Sequence, residues 1–109
     1  MGNAGSIYGN FRTAIKTRSY TLACQVAREL PRVGLSEALQ LTLLAAEKDP
    51  GRYERMARRW LARFLEEKRP TLQLTQWVAE DLRKLGESQL PEVFKADSEA
   101  RLRDVAAKL

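Results

Sequence analysis

The sequence predicts an all-α fold, either a compact bundle or a short, helical-repeat-like stack of five to six helices. Three observations carry that expectation. Apolar residues recur three or four positions apart in successive segments, the spacing of one helix face. Pro, Gly and Asp separate those segments at Pro31, Gly34, Asp49-Pro50, Pro70 and Gly86. No stretch alternates apolar and polar residues between hairpin turns, so strands find no support.

Residues 1 to 6 combine Met with Gly, Asn, Ala and Ser, have little to bury, and are expected as a flexible segment ahead of a single helical domain over 7–109. A first helix is predicted over Ile7 to Thr17 from the spacing of Tyr8, Phe11, Ala14 and Ile15, with Gly9 and Asn10 weakening its start. Ser19 is the expected cap of a second, amphipathic helix whose apolar side is Leu22, Ala23, Val26, Ala27 and Leu30. Leu35 to Lys48 is apolar around most of its circumference, which places it at the centre of the fold.

Asp49-Pro50 restarts the chain, because Asp suits a cap and Pro at the first helical position gives up an amide that has no intrahelical partner. The next helix, Pro50 to Glu67, sets Tyr53, Met56, Ala57, Trp60, Leu61 and Phe64 on one broad aromatic side. Thr71 can cap a fifth helix with the stripe Leu74, Val78, Leu82 and Leu85, ended by Gly86, and Trp77 lies beside that stripe. Ser88 can start the last segment, in which Pro91 fits a first turn. Asp97-Ser98-Glu99 either continues that helix or caps a fresh one, and the sequence leaves both open. No fixed-period signature accompanies the successive helical units, so a bundle and a stack of helical pairs both remain.

At 109 residues the chain suits one hydrophobic core, and its 44% hydrophobic and 30% charged residues are those of a globular domain. The formal charge of +5 is uneven: residues 1–69 hold 13 basic and 7 acidic side chains, residues 70–109 hold 6 and 7. Such a field favours anionic partners without naming one. Cys24 is the only cysteine, which excludes an intramolecular disulfide and fits a reducing cytoplasm. No run approaches the roughly 20 apolar residues of a membrane span, and Met1 to Asn10 does not read as a secretory signal, so membrane insertion is not expected.

Histidine is absent, which removes the commonest general base and metal ligand. Glu66-Glu67 and Glu80-Asp81 are neighbours that diverge around a helix and read as solvated surface carboxylates rather than an acid and base pair. No Gly-rich phosphate cradle is present, and no cofactor, metal or small-molecule ligand is expected. Cys24 lacks the histidine that would activate it and reads as a packing residue.

One polar feature stands apart. Opposite the aromatic side of Pro50 to Glu67, Arg52, Arg55, Arg59 and Arg63 fall within an arc of about 80°, interrupted by Glu66. Guanidiniums on a rigid helix can engage phosphates or the carboxylates of a protein partner. Equally, arginine is a good helix former, and Glu54-Arg58 and Arg63-Glu67 have the spacing of ordinary surface ion pairs. Trp60 is expected in the core, whereas Trp77 is a candidate interface aromatic or a packing residue.

The stretch from Phe11 to Glu67, above all Ala23 to Leu30, Leu35 to Leu44, and Asp49-Pro50 leading to Arg59-Trp60-Leu61, resembles a group of short uncharacterised helical proteins from actinobacteria. It covers about half the chain and gives way after Pro70. The resemblance implies a bacterial, cytoplasmic origin and transfers no activity or site residue. The expected function is therefore a non-enzymatic adaptor or accessory protein that binds another protein or itself. Phosphate-directed nucleic-acid binding through Arg52, Arg55, Arg59 and Arg63 is the alternative.

Overall fold

A computed structural model of the chain describes residues 4–87 and 89–109. The fold is all-α: α1 (Ala4–Lys16), α2 (Tyr20–Glu29), α3 (Leu35–Lys48), α4 (Pro50–Lys68), α5 (Leu72–Leu85) and α6 (Glu92–Lys108). Among the described residues there is no strand. The expectations for residues 1–3 and for Ser88 lie outside the described residues. No helix is long and apolar enough to cross a membrane among the residues described.

Helix α3 is central, as its all-round apolarity implies, and packs against α1, α2, α4 and α6. Two clusters of buried side chains meet on it. Leu35, Leu39 and Leu43 join Tyr53, Ala57, Trp60 and Phe64 of α4, Val78, Leu82 and Leu85 of α5, and Leu102 and Ala106 of α6. On the other side, Leu44 joins Phe11 and Ala14 of α1 with Ala23, Val26 and Leu30 of α2 and the turn after it. Helices α3 and α5 each pack against both α4 and α6, so these four form a closed bundle with α4 and α6 diagonally opposed. The closing α3–α6 contact skips two helices, which favours the bundle over a stack in which each unit touches only its neighbours.

Polar tips of aromatic side chains tie helices to distant backbone. Trp60 Nε1 donates to the Leu35 carbonyl at 2.8 Å, Tyr53 OH to the Leu82 carbonyl at 2.7 Å, and Tyr8 OH to the Arg32 carbonyl at 2.8 Å. Each bond satisfies a ring that also contributes apolar contact. Trp60 and Phe64 stack with centroids 5.0 Å apart.

Several local expectations change. Helix α1 begins at Ala4, ahead of Ile7, and runs through Gly9 and Asn10, because full burial of Phe11 and Ala14 outweighs their poor helix propensity. Its end is closed by backbone bonds from Arg18 to Ile15 and from Ser19 to Ala14, with Arg18 in the left-handed region. Ser19 precedes α2 but does not cap it with its side chain; its hydroxyl lies 3.2 Å from that of Thr17. Asp49 likewise makes no side-chain cap, since its carboxylate accepts from Tyr20 OH at 3.3 Å. Pro50 does open α4, and Thr71 Oγ1 does accept from the Leu74 amide at 3.1 Å.

Leu22, expected on the apolar side of α2, is 47% exposed because Ala23 and Val26 face α1 and α3 instead. The last segment is one continuous helix with Pro91 just before it, and Ser98 is completely buried in it rather than capping a new start. Asp81 is buried too, which corrects its reading as a solvated carboxylate.

Candidate interaction surfaces

Helix α4 turns Tyr53, Ala57, Trp60 and Phe64 inward, and this fixes what faces outward. Arg52, Arg55 and Arg59 are exposed, whereas Arg63 is half-buried at the margin, with its Nε 2.9 Å from Glu67 Oε2. Arg52 Nε stands 3.9 Å from Asp49. Among the described residues no carboxylate lies within ion-pair distance of Arg55, Arg58 or Arg59. The Glu54–Arg58 pair expected from spacing does not form, which adds Arg58 to the outward cations and leaves Arg63 engaged elsewhere. Arg58 sits about 60° around the helix from Arg55, a proximity the sequence contained but an assumed ion pair concealed.

Trp77 is 61% exposed on α5, and Leu72 at the start of that helix is 89% exposed. Val93 and Phe94, in the first turn of α6, are exposed as well. In the fold α6 turns Ser98, Leu102 and Ala106 inward, and Val93, nine residues and about 180° around the helix from Leu102, is thereby turned out.

Helices α5 and α6 are joined by a side-chain clamp invisible in local spacing. Arg101 donates to both oxygens of Asp81, at 2.9 Å from Nε and 2.7 Å from Nη2. The Asp81 side chain is 8% exposed and that of Arg101 is 56% exposed, so a surface cation reaches in to a buried carboxylate. The hydrogen bond to Asp81 raises the guanidinium's proton affinity.

The concavities are also structural in character. A cleft of about 360 Å³ between α4 and α5 is floored by Tyr53, Ala57 and Leu82. The Tyr53 hydroxyl there is committed to Leu82, and Arg83 to Glu80 and Glu87. Burial raises the Tyr53 hydroxyl's pKa and keeps it protonated. A second cleft of about 380 Å³ lies between α1, α3 and α6, where Arg103 is 3.5 Å from Glu99 and Arg18 pairs with Glu47.

Cys24 is half-buried beside Tyr20. Burial, hydrogen bonding to Cys24 and the charge of Asp49 push the Tyr20 hydroxyl up to about 12. Among the described residues no three Cys, Asp or Glu side chains gather closely enough to hold a metal ion. Comparison with protein-family models, with curated proteins and with solved structures found no match.

Proposed function

We propose that the chain is a small, non-enzymatic adaptor or accessory protein of the bacterial cytoplasm that binds another protein. The observation that carries this reading is Trp77, 61% exposed on α5 while Trp60 is 2% exposed in the core. A large aromatic left mostly in water contributes little to packing, and Trp is among the residue types most enriched at the energetic centres of protein interfaces. Leu72 on α5 and Val93 and Phe94 on α6 are further exposed apolar side chains on this pair of packed helices. The outward guanidiniums of α4 supply donors for carboxylates on a partner.

Affinity capture from the native host tests the reading. Trp77→Ala is expected to change unfolding free energy by no more than about 0.5 kcal/mol, as at other exposed sites, yet to lose the captured protein. Retention of every captured protein by both Trp77→Ala and the double variant Arg55→Glu/Arg59→Glu would refute it.

A further inference from the structure

We propose that the outward face of α4 holds the phosphate backbone of duplex DNA. This goes beyond the adaptor reading, which is carried by Trp77 on α5, and leaves that contact in place. Around α4, Arg58, Arg55, Arg59 and Arg52 are all exposed and spread over about 120° of the circumference and about 10.5 Å of the length. Gly51 and Ala62 are the uncharged residues of the same face. Carboxylates border this area. Glu54 lies about 40° beyond Arg58, Glu66 follows Arg59 by about two turns, and Asp49 stands 3.9 Å from Arg52 at the start. Glu67 pairs with Arg63, and across the cleft towards α5 both Glu80 and Glu87 pair with Arg83.

The arginines crowd one another. Arg52 and Arg58 are each three residues from Arg55, and Arg59 is four, spacings at which like charges destabilise a helix. Among the described residues no ion pair relieves Arg55, Arg58 or Arg59. The counter-charge that this face lacks comes from outside the chain.

A guanidinium fork fits a carboxylate or a phosphate equally, so the surroundings decide between them. Protein interfaces have an apolar centre, whereas interfaces with DNA are polar and strongly positive. The one large exposed apolar side chain of α4 is Leu65, which lies about two turns past Arg58 and outside the arginine area. Arg58 stands on one flank of the helix, with Arg52 and Arg59 on the other. A helix about 10–12 Å across matches the major groove, about 12 Å wide, so the two flanks address the two phosphate walls. A single acidic segment would serve one flank only. Arg55 alone occupies the centre, so the backbone is held with little reading of sequence.

Fluorescence anisotropy of a labelled random-sequence DNA duplex of about 20 base pairs tests this, with half-saturation expected at about 1–100 µM protein in about 50 mM salt. Four phosphate contacts should weaken binding about a hundredfold between about 50 and 200 mM salt. Arg52→Ala/Arg59→Ala and Arg55→Ala/Arg58→Ala should each lose about tenfold or more and make the log–log salt slope shallower by about 2. Arg12→Ala/Arg28→Ala removes the same charge from exposed positions on α1 and α2 and should lose less than about threefold. Circular dichroism confirms that each variant is folded.

No binding by the parent at low salt, equal losses in the α4 pairs and the control pair, or an α4 variant that keeps the parent's salt slope overturns the proposal. So does a parent that binds poly-glutamate in preference to the duplex; that result assigns the face to an acidic protein. Trp77→Ala should bind the duplex as the parent does, so loss of a captured protein and loss of DNA are read independently.

Discussion

Tyr53 joins a buried ring to the last turn of α5, where the Leu82 carbonyl is left free because the Gly86 amide bonds to Arg83. Its hydroxyl is harder to ionise folded than unfolded, where tyrosine titrates near 10. The native state therefore retains the proton while the unfolded chain loses it. The associated stability is intact below about pH 10 and is lost as pH rises towards the raised value. Tyr53→Phe should cost about 1 kcal/mol at neutral pH through the lost hydrogen bond, and should flatten the fall in urea midpoint above pH 10. Tyr20, pushed up to about 12, contributes to the slope that remains. At this scale the sequence was partly legible. Trp60 lies in the middle of an apolar arc and had one sensible destination, whereas Trp77 lies at the edge of its stripe, where the neighbouring helix decides burial. Asp81 looked solvated because its partner Arg101 is twenty residues away.

Helix α6 shows why elements differ in legibility. Helices α3 and α4 were readable because Gly34, Asp49-Pro50 and Pro70 bound them, and because α3 is apolar around most of its circumference while α4 has one broad aromatic side. In α6 the inward stripe includes Ser98, while Val93 and Phe94 are turned out, so period alone gives no decision. The clamp from α5 helps set its rotation. Arg101→Ala should therefore lower the thermal midpoint more than Arg103→Ala. The first leaves the nearly buried Asp81 carboxylate without its partner; the second releases Glu99, whose side chain is 29% exposed. Equal midpoints for the two variants would show that the clamp does not hold α6 in place. The arginine row was legible as four residues, but only the fold replaces the engaged Arg63 with the unpaired Arg58.

Across the molecule, the division into two cores implies unequal local stability. The cluster shared by α3, α4, α5 and α6 includes Trp60, Phe64, Tyr53 and Leu39, whereas that under α1 and α2 depends on Phe11 and a few smaller side chains. Amides of α1 and α2 should exchange with solvent by openings that leave α3 and α4 protected, measurable by native-state hydrogen exchange. Uniform protection across all helices would show one cooperative unit. Fold class follows from repeated local patterns, so the order of residues along the chain suffices to read it. The diagonal placement of α4 and α6 depends on the long-range α3–α6 contact, which no local pattern encodes.

The two tryptophans make the protein its own pair of optical probes. Trp60 is enclosed, stacked on Phe64 and bonded across to α3; Trp77 is in water on an outer helix. A soluble quencher can silence the emission of Trp77 while leaving that of Trp60, so docking and unfolding can be followed separately without attaching a dye.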